Sequence, residues 1–368
     1  NLEGVQSNNN NINFLNSSER FNAKTYGAAL ELNTIIGSNM SNSLVVGFTR
    51  QVDDRDPNGQ PFPYVSIEDG SGNLTFGSER FSTANLLNQN VVTITNNFEI
   101  FKGKHTFTIG ANLELYKAEN LFLAYNYGQY QFDDLETFQN GGNASFFQRV
   151  YSLRDNVSGD DSQAIASFGA GQAGLYFQDR IQFAENFSFT AGVRLDLPFY
   201  DDTPVNDDLN DNVLPALGAL YDLRGATSGS FIKPNLLISP RIGFNWDVLS
   251  DKTTQVRGGV GVFTSRAPLV WVGGAFNNYG LNAGYTRSFS TPFVADINGQ
   301  LPGNIDPNNV TPSGGVDLFA EDFKLPQFLK VSLAVDRKLP FGFLGPLDVL
   351  YNTTLQNLPL IPLSLCPH

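Results

Sequence analysis

Residues able to do chemistry are sparse in this chain, and their spacing argues against catalysis. Two histidines, His105 and His368, stand far apart, which leaves little for a zinc site or a Ser-His-Asp triad. The single cysteine, Cys366, excludes an intramolecular disulfide, and its Pro-rich surroundings make it a poor thiol catalyst. Acidic pairs at Asp160-Asp161, Asp201-Asp202 and Asp207-Asp208 fall in polar stretches and read as solvated loop charge. The sharpest local motif is Asp54-Arg55-Asp56-Pro57-Asn58-Gly59, the D-x-D-x-N-G opening of a calcium loop. Such a loop needs a carboxylate at its twelfth position, where this chain has Val65. A calcium ion on Asp54, Asp56 and Asn58 is therefore one expectation, and a plain turn at Pro57-Asn58-Gly59 explains the same residues more simply. No other cofactor is expected, and the chain reads as a protein that is not an enzyme.

Binding chemistry is better represented. Aromatic residues crowd two polar stretches, at Tyr125, Tyr127, Tyr130 and Phe132, and at Trp271, Phe276, Tyr279 and Tyr285. Rings with a polar tip beside amide neighbours suit sugar or peptide contacts. The alternative is that they pack loops against one another. As a set, Tyr125, Tyr127, Tyr130, Trp271, Tyr279 and Tyr285 are the expected ligand-facing surface.

The elements that position these residues are strands. In Phe187–Phe199 the odd positions are Phe187, Phe189, Ala191, Val193, Leu195, Leu197 and Phe199, while the even ones include Arg194 and Asp196. Such period-two segregation predicts a strand with one apolar and one polar face. Similar alternation predicts strands near Tyr26–Thr34, Leu44–Phe48, Val92–Ile100, Lys104–Glu119, Ala173–Phe183, Ile238–Val248, Thr254–Ser265, Leu329–Val335 and Leu347–Tyr351. Brief connections at Gly37–Asn42, Phe101–Lys104, Ala184–Asn186, Leu249–Thr253 and Leu339–Gly345 close them into five hairpins. Long polar stretches near 51–87, 117–171, 200–235 and 266–325 separate the hairpins. Short turns at one end and long loops at the other are the habit of membrane β-barrels. In that arrangement Glu114, Arg194, Asp196, Arg241, Asp247 and Arg257, all on polar faces, line the lumen, and their charges pair across strands. Asp179 falls on the apolar face of its strand, which requires either a bulge or a different reading of that strand.

Composition agrees. Only 16% of residues are charged, against 31 Phe and 13 Tyr, a balance that favours strands over helices. Mean hydropathy of −0.18 and the lack of any run of 18 apolar residues exclude helical membrane spans but not a barrel. A net charge of −13 counts against nucleic-acid partners.

Several segments carry a family resemblance. They are Gly77-Ser78-Glu79-Arg80-Phe81-Ser82, Phe101-Lys102-Gly103-Lys104-His105-Thr106-Phe107, Leu175-Tyr176-Phe177-Gln178-Asp179-Arg180 and Ala191-Gly192-Val193-Arg194-Leu195-Asp196. Ile238-Ser239-Pro240-Arg241-Ile242-Gly243-Phe244, Val256-Arg257-Gly258-Gly259-Val260-Gly261 and Phe323-Lys324-Leu325-Pro326-Gln327 follow in order. Together, over 43–355, they resemble the barrel of TonB-dependent outer-membrane receptors of the Bacteroidota, in the Oar-like and SusC-like branches. The resemblance implies ten strands of a larger, 22-stranded, all-β transmembrane barrel, antiparallel and up-and-down, with short periplasmic turns and long external loops. It also implies a Gram-negative outer-membrane location in contact with lipid. Nutrient uptake would follow, of an oligosaccharide, peptide or siderophore, with a surface lipoprotein as possible partner.

Nothing in the chain resembles the plug or the TonB-binding segment of that family, so coupling to the TonB complex would run through an N-terminal region outside this sequence. The expected division is the end of an external loop at 1–19, partial barrel at 20–355 and an aberrant Pro/Leu-rich tail at 356–368. Two rival readings remain: a complete ten-stranded pore or adhesin, and a secreted soluble β-sandwich or β-solenoid that binds carbohydrate.

Overall fold

Alternating apolar and polar residues become long antiparallel strands, joined in pairs by short turns. The computed structural model describes residues 5–8, 10–82, 84–154, 162–301 and 315–357. Along the chain, β1 (Val5–Asn8) and β2 (Asn11–Phe14) precede the first hairpin, β3 (Glu19–Ile36) with β4 (Met40–Pro57). A loop bearing β5 (Tyr64–Asp69) and β6 (Gly72–Phe76) leads to β7 (Asn85–Lys102) and β8 (His105–Phe122). The next loop holds β9 (Gln129–Phe132), α1 (Leu135–Gln139) and β10 (Ala144–Ser152), before β11 (Ala166–Ala184) and β12 (Phe187–Tyr200). After a helical loop containing α2 (Leu214–Gly218) come β13 (Leu237–Asp247) and β14 (Thr254–Thr264). The last loop carries α3 (Leu269–Asn277) and β15 (Ala283–Thr291), and the chain ends in β16 (Gln327–Lys338) and β17 (Leu344–Gln356). Cys366, His368, the Asp160-Asp161 pair and most of the Pro-rich tail lie outside the described residues.

Ten strands form one antiparallel sheet in the order β17-β16-β14-β13-β12-β11-β8-β7-β4-β3, with β3 and β17 as its edges. All five hairpins close at the expected turns. At the two-residue turn Gly103-Lys104, Gly103 has φ +61°, a left-handed conformation that glycine adopts without strain. The strands are longer than the apolar pattern predicts. Four of them, β3, β4, β7 and β8, have 18 residues each. At about 3.3 Å per residue and a tilt near 45°, such a strand rises ~42 Å, well beyond a hydrocarbon band of about 25–30 Å. The excess lies on the loop side, because the other end turns at once. There both faces meet water, so residues such as Arg50, Gln51 and Asp53 carry no alternation to read.

Which face is hidden decides the fold class. Asp196 is 2% exposed and Ser239 0%, yet Ile238, beside Ser239 in sequence, is 55% exposed and Leu175 62%. A soluble sandwich would show the reverse. The apolar rows of the ten-stranded sheet do not stack on a second apolar layer; they stand bare, as rows that meet lipid do. Among the described residues, no helix is long and apolar enough to cross a membrane.

Asp179 belongs to that bare face. It pairs with Phe107 on β8 and Ala191 on β12, and the one register irregularity in β11 falls later, between Gln182 and Ala184. Neither a bulge nor a misread strand accounts for it. Instead His105 supplies a partner: its Nδ1 lies 2.8 Å from the Asp179 carboxylate, and its ring stacks on Phe107 at 5.3 Å. Removing His105 strands a carboxylate on the apolar face. The His105→Ala and Asp179→Asn changes are therefore expected to be non-additive, with a coupling of ~1 kcal/mol in a double-mutant unfolding cycle. Strict additivity would show that the pair does not interact.

The long loops hold more order than their polarity suggests. Three of the intervening loops, with the segment before β3, build a second, seven-stranded sheet in the order β1-β2-β6-β5-β9-β10-β15. Two of its pairings are parallel, β2 with β6 and β5 with β9. Its core is Val65, Ile67, Tyr130, Phe132, Ala144 and Phe147, walled by Phe62, Phe76, Phe138 and Phe293. Gly77 is the hinge of this packing. With φ +91°, it would place a Cβ 1.8 Å from the Pro63 carbonyl oxygen, so only glycine fits. Gly77→Ala is expected to strain the loop sheet by about 1–3 kcal/mol. Limited proteolysis of the external loops should accelerate; an unchanged rate would refute this role.

Candidate ligand-binding surface and interior face

At the loop end, chain segments fold over the polar face. Helix α3 packs on β8 and β11, with Phe276 stacked on Phe168 at 4.7 Å. The Asn277 side-chain amide donates to the Asn120 backbone oxygen at 3.2 Å and to its side-chain oxygen at 2.6 Å. Val272, Ala275, Phe231, Ile232 and Leu325 complete a buried cluster there. The Leu-Val-Trp-Val-Gly-Gly-Ala-Phe run thus has a packing role that buries one side and leaves Trp271 exposed.

The aromatic residues expected to meet a ligand are not gathered into one site. Tyr130 is buried, 4.5 Å from Phe147 and 5.0 Å from Phe293, and its hydroxyl accepts from the Val294 amide. Burial raises the Tyr130 pKa above the usual phenol value. Tyr279 is also buried, and its backbone oxygen accepts from Asn206 at 2.9 Å. Tyr285 sits half-buried on β15 with its hydroxyl 3.4 Å from Gln148. Tyr127 is half-buried in the same loop as Tyr130. Tyr125, at φ +62°, lies 5.2 Å from Phe81, and Trp271 points outward. Tyr130 and Tyr279 are framework rather than open surface.

Arg149 was not singled out by the sequence, although its place inside Ser145-Phe146-Phe147-Gln148-Arg149-Val150-Tyr151 marks it as a charge among rings. It is fully buried, donates to the Ile297 carbonyl and, at 3.3 Å, to Gln300. Among the described residues, its Nε and Nη2 have no partner. Desolvation lowers its pKa to about 10, with Tyr130, Tyr127 and Tyr151 opposing that shift, so it remains charged at neutral pH.

The charges of the interior face find partners along their own strand, across the sheet and in the loops. Arg194 pairs with Asp196 along the same strand at 2.8 Å, and Gln172 adds a hydrogen bond to Asp196 at 2.9 Å. Arg257 binds Asp336 at 2.9 Å and Asp348 at 3.1 Å, neither of which the sequence had paired with it. Glu114 takes Arg266 from the last loop and the Tyr116 hydroxyl. Among the described residues, Arg241 forms no ion pair, and it lies over the Phe263 ring at 4.3 Å. Asp247 accepts from the Lys252 amide at 2.9 Å and so braces the β13–β14 turn. Side-chain reach, not strand adjacency alone, sets these pairs. Nearer the short turns, the same face holds a polar basin of about 390 Å³ lined by Ser41, Ser43, Asn97, Glu99, Thr108, Tyr176 and Gln178.

Asp54 and Asp56 lie on β4, which stays extended to Pro57 instead of winding into a loop. Asn22 donates to Asp56 at 2.7 Å, while the Asn58 side chain donates to Leu15 and Ser18. Among the described residues, no group of three or more His, Cys, Asp or Glu is placed to hold a metal ion.

A sheet that bares its apolar face, gathers its charges on the other and is covered by ordered loops at one end defines a β-barrel protein of the Gram-negative outer membrane. The chain belongs to the family described as outer membrane beta barrel domain, which matches residues 2–351. Comparison with curated proteins gives no match. Among solved structures, the chain is similar to the outer membrane transporter YddB from Escherichia coli, at 14% identity and a TM-score of 0.51, covering 93% of this chain and 36% of that one. It is also similar to the ferric-catecholate import receptor Fiu from E. coli, at 12% identity and a TM-score of 0.45, covering 91% and 41%. The chain thus spans less than half the length of either.

Proposed function

We propose that this chain is barrel wall and external loops of a TonB-dependent receptor that captures a nutrient outside the cell and imports it. The observation that supports this reading best is the inverted sheet: charges such as Asp196 hidden on the inside, Ile238 and Leu175 bare on the outside. A plain adhesin would not need a charged, partly hidden interior face. Edges β3 and β17 expose backbone donors and acceptors that lipid cannot satisfy, so the reading includes further strands that complete the wall. A plug, a TonB-binding segment and, for an Oar-like or SusC-like receptor, a surface lipoprotein belong to the same proposal. The nutrient would be an oligosaccharide, a peptide or a siderophore.

Growth of the native bacterium on a panel of scarce nutrients tests it. Deleting the gene that carries this chain is expected to abolish growth on the same nutrient as disabling the TonB complex. Normal growth of the deletion strain on every nutrient that needs TonB would overturn the proposal.

A further inference from the structure

A second cavity, of about 340 Å³, opens at the loop end between the single helical turn at Leu15–Ser17, β5, β6 and the segment after β6. It is lined by Asn13, Phe14, Ser17, Tyr64, Arg80 and Phe81, among others. That volume lies within the range of small-molecule sites, at its lower end. None of the aromatic residues expected from the sequence to meet a ligand lines it; Tyr125 only buttresses it, by its contact with Phe81 and by donating its amide to the Arg80 carbonyl.

Arg80 is its chemical centre. The guanidinium carbon lies 5.1 Å from the centroid of Tyr64 and 4.8 Å from that of Phe81. Contact with rings does not satisfy a guanidinium's N–H donors, the fork that matches a carboxylate. Among the described residues, Arg80 forms no ion pair, whereas Arg194, Arg224, Arg257 and Arg266 each do. Glu79 lines the same cavity, and its carboxylate accepts from the amides of Phe81 and Ser82. Across the cavity, the Ser17 hydroxyl donates to the Phe14 carbonyl at 2.7 Å and keeps its oxygen as an acceptor. One planar cation, flanking rings and a hydroxyl acceptor form a small set of convergent polar groups in an aromatic wall.

We infer that this cavity binds a small carboxylate-bearing molecule, with the carboxylate on Arg80 and an apolar or ring-shaped body against Tyr64 and Phe81. The inference rests on the receptor reading and narrows it to acidic ligands. A uronic acid and the C-terminus of a peptide share that chemistry. Two probe pairs separate them: galacturonate with galactose, and N-acetylphenylalanine with its amide.

Binding of the labelled probes is measured on outer-membrane vesicles containing the intact protein, normalised to its amount. At least one acid is expected to bind tenfold or more tightly than its neutral counterpart. Arg80→Gln should erase that preference, and Arg80→Lys should lose most of it, because an ammonium has no fork. Arg287→Gln is the control: Arg287 likewise lies over two rings, Phe146 and Phe289, but outside this cavity. The acid preference should survive there. The inference is overturned if neither acid binds, if acid and neutral forms bind alike, or if the preference survives Arg80→Gln. TonB-dependent growth that persists in the Arg80→Gln strain beside a lost acid preference would leave both readings standing, with the acid not the essential nutrient. Such growth together with an unaltered preference would remove the cavity inference alone.

Discussion

Lysine in place of Val193 is expected to destabilise the folded barrel by about 2–4 kcal/mol, the cost of a charge near the middle of the lipid band. Val193 is exposed in the sheet, flanked on its face by Ala191 and Leu195, and is paired with Phe177 and Pro240. It stands about 14 Å above the short turn at the usual tilt, close to mid-bilayer. On the opposite face of the same strand, Thr190→Lys should cost less than about 1 kcal/mol, because a wet interior solvates the ammonium. Unfolding of the intact protein from lipid vesicles by guanidinium compares the two. Equal costs would mean that the bare face does not meet hydrocarbon. Both the membrane assignment and the receptor proposal would then fall.

Asp196→Ala is expected to cost about 3 kcal/mol by leaving Arg194 without its counter-charge in a largely buried place. The Asp196 side chain is 3% exposed and that of Arg194 23%. Arg194 Nε donates to both carboxylate oxygens, at 2.9 and 3.1 Å. The ring of Tyr176, 5.5 Å from the guanidinium, shields it further. Replacing both members, Arg194→Met with Asp196→Leu, should restore most of the loss, since a paired charge carries its own desolvation cost. Equilibrium unfolding of the two single variants and the double variant forms the cycle. A double variant as unstable as the sum of the singles would show that the two side chains act independently. These residues would then be held in place by something other than each other.

Much of the wall was legible before any coordinates. Phe187–Phe199 announces its two faces because side chains on a strand alternate every residue, and a bilayer outside a wet interior makes that alternation chemically sharp. The ends of the strands were not legible. Beyond the membrane, β4 passes through Arg50, Gln51, Asp53 and Asp54, where neither face is apolar, so the D-x-D-x-N-G stretch looked like a loop although its first four residues are strand. Asp179 looked like a bulge or a misread strand, because its relief comes from His105, 74 residues away in sequence. The candidate ligand residues fared unevenly for a similar reason. Tyr130 and Trp271 look alike as loop aromatics, yet one fills a core and the other faces outward.

By itself, then, the amino-acid order determined the two-faced strands, the five tight turns and the inverted polarity that places the chain in an outer membrane. Each of these depends on neighbours within a few residues. Tertiary structure alone decided the seven-stranded loop sheet, the partners of Arg257 and Glu114, and the meeting of Arg80 with Tyr64 around a cavity. Those contacts join segments far apart in sequence, such as β10 with β15 and Glu114 with Arg266. Local periodicity carries no information about which distant partner a side chain will reach, and packing selects it only when the whole chain has closed.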